Sequence, residues 1–418
     1  MEEDLLIELP EMQTDANMPS IIKVIGVGGG GGNAVGNMYH ENIEGVRFVV
    51  CNTDHKALDD SPVPDHVQIG PGLGAGGKPE IGQQLAEENL TSIQNMLDDQ
   101  TKMVFITAGM GGGTGTGAAP VVAREAMKKG ILTIGIVTIP FLFEMKPKID
   151  KALDGVERMA QEVDALLVVN NQRLLQVFSD LTVVNAFKKA DETLTKAVRS
   201  IVEIITMHGF QNLDFRDVET CLRGGGVAVM STGYAKGDKR VSKAIADALN
   251  SPLLNDKDVY KSKSLRLAIF FPPDNSGYGM MMDEMNEIDA FMNKFREDVD
   301  TKYGMTEDPN LKEEIKITIL ASGFRLAPGQ EEDIVVDAPL TAEQIDREKQ
   351  KEIRRSQAYE GTQKHQRHHR VFLFEDEDFE NEELIAMVES TDVYRRSDND
   401  TRKLRDISNA SKAIEIML

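Results

Sequence analysis

A chain of 418 residues, 41% of them hydrophobic, can bury a large core, and its two cysteines, Cys51 and Cys221, lie too far apart for a stapled or zinc-bound module. A formal net charge of −22 and a pI near 4.8 exclude the basic face with which a nucleic-acid binder displaces counterions. The N-terminus, MEEDLLIELPEM, is acidic where a signal peptide is positive, and no apolar run approaches the ~20 residues of a spanning helix, so a cytoplasmic protein with no direct membrane insertion is expected.

Residues 1–20 mix polar and apolar types and read as a flexible arm. Ile21 to Val27 (IIKVIGV) is a buried strand, and Gly28 to Asn33 (GGGGGN) turns it into a helix beginning near Ala34. A second strand follows at Val46 to Cys51. In this βαβ start Gly28, Gly30 and Asn33 hold the places of a G-x-G-x-x-G fingerprint, and Asp54 arrives about 20 residues on, where a ribose-binding acid belongs. Taken alone, this start suggests an NAD-dependent Rossmann oxidoreductase. Gly72 to Pro79 (GLGAGGKP) imitates a P-loop up to its last position, where Pro79 has neither the hydroxyl for Mg²⁺ nor the N–H for phosphate.

A second glycine loop lies in Met103 to Pro120 (MVFITAGMGGGTGTGAAP). An apolar strand runs into Gly109, Gly111, Gly112, Gly113, Gly115 and Gly117, broken only by Thr114 and Thr116, and a helix is expected from Ala118. Such a loop brings N–H groups close to an anion and delivers it to a helix N-terminus. A simple Rossmann half needs one phosphate loop, so this one counts against NAD. Ile131 to Ile139 and Leu166 to Asn170 add strands, and Pro140 to Ile149 is a loop carrying Glu144. This alternation predicts a mostly parallel sheet covered on both faces, with ligand at the carboxyl ends of its strands.

Apolar residues at spacings of three and four predict one helix from Val183 to Met207, roughly 35 Å long, with Gly209 as its cap. Gly209 to Glu219 (GFQNLDFRDVE) then presents Asn212, Asp214 and Asp217. Two acids and an asparagine can position and polarise a water, and an acid three residues before another also fits the capping of a helix. Val218 to Phe324 reads as a compact α+β unit, with strands at 228–235, 265–271 and 315–324 and helices near 241–249 and 283–299. Met280 to Met282 and Met285 read as core filling. Beyond Arg325 charge blocks dominate, including KHQRHHR with His365, His368 and His369, a solvated basic block rather than a metal site.

GGGGGN, GGGTGTG after a strand, and N-x-D-x-x-D after the long helix occur in order, and on these motifs the chain resembles the tubulin/FtsZ family over about Ile21 to Arg325. The resemblance implies a Rossmann-like parallel-sheet GTP-binding domain (21–182), a central helix (183–208), a smaller α+β GTPase-activating domain (209–325) and a disordered linker with a terminal peptide (326–418). It implies GTP or GDP, with Mg²⁺ bound alongside, and no protein metal site. Gly28, Gly29, Gly30, Gly31, Gly32 and Asn33 would hold phosphates together with Gly109, Gly111, Gly112, Gly113, Thr114, Gly115 and Thr116, and Ala75, Gly76 and Gly77 would flank the γ-phosphate. Glu144 would contact the ribose, Asn171 and Asp191 would read the base, and Phe187 would stack on it. Lys148 stands where the family has an arginine, keeping the charge and losing the bidentate fork. Without the resemblance these read as a loop charge, a helix cap, an exposed helix acid and a core ring.

Asn212, Asp214 and Asp217 would be the hydrolytic residues, and a rigid helix that keeps them from their own nucleotide implies action on a neighbour's GTP in a head-to-tail filament. The family further implies a role at the bacterial division site, with membrane-tethering partners bound through the tail. A filament that binds GTP without turnover is a third reading.

Overall fold

The computed structural model describes residues 20–177, 182–207, 209–251, 259–296, 298–324, 350–356, 358, 370–371 and 414–415. In chain order its first half holds β1 (Ile22–Val27), α1 (Gly28–His40), β2 (Val46–Asn52), α2 (His55–Asp59), β3 (His66–Gln68), α3 (Pro79–Glu88), α4 (Leu90–Met96), β4 (Met103–Gly109), α5 (Thr114–Lys128), β5 (Leu132–Ile139), α6 (Lys146–Gln161), β6 (Ala165–Asn170) and α7 (Asn171–Val177). Then come α8 (Val183–Thr206), α9 (Phe215–Leu222), β7 (Gly226–Ala235), α10 (Arg240–Leu249), β8 (Ser264–Phe271), α11 (Met285–Met292), β9 (Asp300–Glu307) and β10 (Ile315–Phe324). A separate compact unit, 363–418, pairs β11 (Arg370–Val371) antiparallel with β12 (Ile414–Glu415).

One ten-stranded sheet runs β3-β2-β1-β4-β5-β6-β7-β10-β8-β9. Its first six strands pair in parallel, and the apolar runs of β4, β5 and β6 suit a sheet covered on both faces. Successive residues feed opposite faces: Ile22, Val24, Met103 and Phe105 pack against α1 and α8, while Ile25, Val27, Val104 and Ile106 pack against α5 and α6. The same alternation in β8 sends Ala268 and Phe270 to the α8 side and Leu265, Leu267, Ile269 and Phe271 to a third cluster under α10 and α11. The strands of the α+β unit continue the first sheet, through the pairs Ala165↔Gly226 and Leu166↔Val227.

Several boundaries differ from expectation. Helix α1 starts at Gly28 and α5 at Thr114, each inside its glycine motif. Glycine in a helix costs about 1 kcal/mol relative to alanine, and here close packing offsets it. A Cβ on Gly31 would lie 2.2 Å from the Thr107 carbonyl oxygen, and one on Gly26 2.4 Å from that of Gly31, so only glycine lets α1 approach β1 and β4. The Pro140 to Ile149 loop shrinks to a 3-10 turn, Leu142–Glu144, before α6. The helix expected over 283–299 is only α11, and 300–307 form β9. Met280 and Met285 pack on the third cluster, but Met281 and Met282 are exposed. The arm 1–19 lies outside the described residues, as does most of 326–418. Within the latter, residues 350–356 are helical and ion-paired to α6 through Arg354 to Asp154 and Glu157 and through Arg355 to Asp150.

Candidate active site

Neighbouring parallel strands β1 and β4 each end in a helix, so the N-termini of α1 and α5 lie side by side at the carboxyl edge of the sheet. Their contact is backbone on backbone: a Cβ on Gly28, whose φ is +73°, would sit 2.8 Å from the Gly115 nitrogen, and one on Gly30 3.3 Å from Gly109. Among the described residues no side chain caps either helix, which leaves first-turn N–H groups for an anion, and the two macrodipoles add. Positions above Gly29 and Gly112 are open, with no heavy atom within 4 Å of a built Cβ. This is a cradle for an anion larger than one phosphate. The Thr114 hydroxyl stands at its rim, 2.6 Å from that of Thr53 at the end of β2. Thr116, expected beside ligand, is buried, and its hydroxyl accepts from the Gly111 N–H at 2.9 Å; it shapes the loop.

The loop before α3 makes a third wall. Ala75 is buried against Gly113, where a Cβ would meet it at 2.8 Å, while Gly76 and Gly77 are exposed with open space above them. Lys151 of α6 donates to the Gly77 carbonyl at 3.0 Å and ties this wall to the far side of the cradle.

Beyond the cradle, Glu144, Lys148, Asn171, Phe187 and Asp191 stand on the turn before α6 and on α6, α7 and α8. Glu144 accepts from the Phe141 N–H at 2.9 Å and from the Lys148 ammonium at 2.5 Å, closing its own turn. Phe187, 40% exposed, meets Phe141 and Phe143 edge to face, at 5.0 Å and 6.4 Å between ring centres. Asp191 follows one helical turn later on the same face. Its one long side-chain hydrogen bond, 3.5 Å, comes from Asn37 of α1, and burial pushes its pKa up to about 7. Asn171 is buried, and among the described residues its Oδ1 has no hydrogen-bond partner. An unmet buried acceptor costs about 1–3 kcal/mol, which a ligand N–H would recover. Carboxylate and amide acceptors beside an exposed ring suit a base with N–H donors on its Watson–Crick edge.

Asn212, Asp214 and Asp217 are elsewhere. From Asp191 to Thr206 the helix advances about 22 Å before their loop begins. Asn212 Oδ1 accepts from the Gly209 N–H at 2.6 Å, and the main chain of Gln211 bridges to Met305 of β9. Asp214 caps α9: its Oδ1 accepts from the Asp217 N–H, and Asp217 Oδ2 accepts from the Asp214 N–H, both at 3.0 Å. Lys302 of β9 donates to both carboxylate oxygens of Asp217 at 2.7 Å. Burial opposes ionisation of Asp217, but the Lys302 ammonium and the Asp214 N–H outweigh it and hold the carboxyl below its usual range.

The structure therefore gathers the two glycine motifs, residues 75–77, Glu144, Lys148, Asn171, Phe187 and Asp191 at one edge and leaves the acids at another. Sequence reasoning passed over Thr53, Asn37, Phe141 and Phe143, which no motif marks, and Lys302, hidden in an unforeseen strand. Among the described residues no group of three or more His, Cys, Asp or Glu side chains is arranged for a metal.

Comparison with known proteins agrees with this geometry. The family model for the Tubulin/FtsZ GTPase domain matches residues 21–179, that for the FtsZ C-terminal domain matches 226–325, and a further FtsZ C-terminal model matches 366–413. The chain is 45% identical over 400 residues to the cell division protein FtsZ of Porphyromonas gingivalis, covering 92% of this chain and 87% of that one. It is 41% identical over 319 residues to the FtsZ of Pseudomonas aeruginosa, covering 75% and 80%. An empty FtsZ dimer from M. jannaschii superposes with a TM-score of 0.66 at 36% identity, over 74% of this chain and 89% of that one. A GTPγS-bound protofilament of CetZ2 from Haloferax volcanii, 21% identical with a TM-score of 0.60 over 72% and 92%, shares the fold.

Proposed function

The chain belongs to the tubulin/FtsZ family, and from that premise we propose that it is a self-assembling GTPase of bacterial cell division, hydrolysing GTP where the acid loop of one subunit meets the nucleotide of the next. One observation carries the shared-site reading: α8 runs about 22 Å from Asp191 to Thr206 before the loop of Asp214 and Asp217 begins, and that loop packs on β9 at the far edge of the sheet. Acids so placed act on a second molecule, through a contact between unlike faces. When the rotation relating such faces does not close a ring, the product is a filament, and assembly and hydrolysis become one event.

Within the pocket, residues 21–182 bind nucleotide. N–H groups of α1 and α5 hold the phosphates, with Ala75, Gly76 and Gly77 beside the γ-phosphate and Lys148 as a point charge. Guanine offers N1–H and N2–H₂ to the Asp191 carboxylate and the Asn171 carbonyl, whereas adenine presents an acceptor at N1, so this pair selects GTP. Glu144 reaches the ribose, and Phe187 packs on the base. The hydroxyls of Thr53 and Thr114 at the rim are hard oxygen donors that would hold Mg²⁺ bound with the nucleotide, and such an ion would supply positive charge against the phosphates. Asn212, Asp214 and Asp217, in the 209–325 domain, orient the attacking water, the task phosphoryl transfer leaves to the protein once the phosphates are cradled.

The NAD oxidoreductase reading loses to the second phosphate loop and to the acidic base reader. We place the protein in the cytoplasm at the division site, tethered by adaptors on the terminal segment; no described helix is long and apolar enough to cross a membrane. Phosphate release per subunit, measured against protein concentration, tests the shared site. It should rise steeply above a threshold, and a rate that stays flat to high dilution would sink the proposal and favour a site complete within one subunit.

A further inference from the structure

A cation that the reaction as described does not use, Lys302, is bound to the acid loop. Lys302 lies on β9, an edge strand, directly beside Arg266 of β8 in register, and both point at the first turn of α9. The Arg266 Nε donates to the Asp217 carbonyl at 3.2 Å, while its Nη2 pairs with Asp300 at 2.7 Å. Lys302 donates to both oxygens of the Asp217 carboxylate and remains 42% exposed.

The two acids are consequently unequal. Asp217 accepts from Lys302 on both oxygens and from the Asp214 N–H on Oδ2, so its orientation is fixed and its charge balanced. Asp214 is exposed, accepts from the Asp217 N–H on Oδ1, and among the described residues has no partner on Oδ2. We infer that Lys302 is a positioning residue for hydrolysis: it locks Asp217 as a neutral pair that holds the loop, leaving Asp214 as the carboxylate presented to the water on the neighbouring subunit's nucleotide.

This inference rests on the shared-site reading above and adds an electrostatic reason for it. Two unpaired carboxylates approaching a triphosphate would repel it, and the contact would weaken with each added negative charge. Lys302 removes one of those charges without removing the carboxylate. It also sets the ionisation of Asp217, because the groups facing that carboxylate are Lys302 from β9 and the Asp214 main chain, while the Arg266 charge is taken up by Asp300 and those of Arg216 and Arg223 on or next to α9 by Glu219.

The test compares Lys302→Met and Lys302→Arg in the full chain. A half-exposed edge-strand position tolerates methionine, and GTP affinity of the unassembled protein should match wild type in both. In Lys302→Met, kcat in assembled protein should fall roughly tenfold, as for loss of one charge-assisted hydrogen bond, and the acid limb of its pH profile should move to higher pH as Asp217 loses the cation that keeps it ionised. Lys302→Arg should restore most of the rate and the original limb, which a purely packing role would not do. Asp217→Ala completes the test. An inactive Asp217→Ala together with a Lys302→Met of unchanged kcat and unchanged acid limb overturns this inference, as does a fully active Asp217→Ala; failure of the shared-site reading shows separately, as a turnover per subunit in the wild type that does not rise with protein concentration.

Discussion

In the cradle formed by the first turns of α1 and α5 the groups facing an anion are main-chain N–H groups, whereas in the loop from Gly209 to Asp217 they are carboxylates. The cradle is complete without a ligand: its glycines are set by contacts such as Gly31 on Thr107 and Gly28 on Gly115, and its helix ends carry no competing cap. The acid loop is also complete, but by consuming its own chemistry, since Asp214 and Asp217 cap α9 reciprocally and Lys302 occupies Asp217. The cradle presents its N–H groups outward, whereas the acid loop turns its carboxylates on its own helix and, on the shared-site reading proposed above, redirects them only when a neighbouring subunit arrives.

The sharpest way to break that contrast is to damage each half separately. Asp214→Ala should lower GTP turnover by roughly a hundredfold or more, the scale of a lost water-positioning or general-base group, with GTP affinity intact. Thr114→Arg, which drives a long side chain into the cradle, should lose its own nucleotide while leaving the acid loop sound. Mixed in equal amounts, the two inactive variants should regain activity, up to about one quarter of wild type, because one contact in four places a sound nucleotide under a sound acid loop. Co-sedimentation must show both variants in the same filaments. A mixture no more active than its components, with that control passed, would return the acids to their own subunit.

How much of this contrast was legible beforehand follows from the same physics. Glycine loops after apolar strands are read easily because backbone sites demand glycine, and IKVIGV and MVFITAG could only be buried strands. The starts of α1 and α5 were misplaced because propensity counts glycine against a helix, while the deciding term, the approach of Gly31 to Thr107, is tertiary. Strand β9 (DTKYGMTE) lies at the sheet's edge and alternates only Tyr303 and Met305 onto the third cluster, too short a pattern to read, and Lys302 was lost with it. The continuity of the sheet hangs on two residue pairs at Ala165 and Leu166, too few to leave a pattern. In the acid loop the sequence supported capping and catalysis alike; the free subunit displays the capping geometry, and the filament contact is where the catalytic one is expected.

Asp191 sharpens the comparison from the cradle's side, being a carboxyl there whose burial moves its ionisation into the neutral range. Burial raises its pKa to about 7 in the ligand-free protein, and only the ionised form accepts both guanine N–H groups. Between pH 8 and pH 6 the ionised fraction falls from about nine tenths to about one tenth, so GTP affinity should drop roughly tenfold over that range, and Asp191→Asn should flatten the dependence. Stability runs the other way. A folded-state pKa above the unfolded value contributes stability that is present below about pH 4 and lost as pH rises through 7, so at pH 8 ligand-free Asp191→Asn should be more stable than wild type by a few kcal/mol at most. Equilibrium dialysis and denaturant unfolding at the two pH values check both signs, and a pH-independent wild-type affinity would show that Asp191 does not read the base.

The smallest effect concerns the far wall of the cradle. Residues 350–356 lie along α6, where Arg355 pairs with both oxygens of Asp150, at 2.5 and 2.8 Å, and the Ala358 carbonyl accepts from the Asn170 side chain at 2.6 Å, next to Asn171, the proposed base reader. Arg355 is 11% exposed and Asp150 19%, so breaking the pair should cost about 1–2 kcal/mol, between the values for surface and buried pairs. If the cradle is set by backbone contacts, that loss stays local. Arg355→Glu should speed amide exchange in 350–356 by roughly tenfold, change GTP affinity by less than about threefold, and be reversed by adding Asp150→Arg, which restores the pair with its charges exchanged. A GTP affinity that collapsed with Arg355→Glu and recovered in the double variant would instead make the segment part of the pocket, and the cradle could no longer be described as a site its own backbone completes.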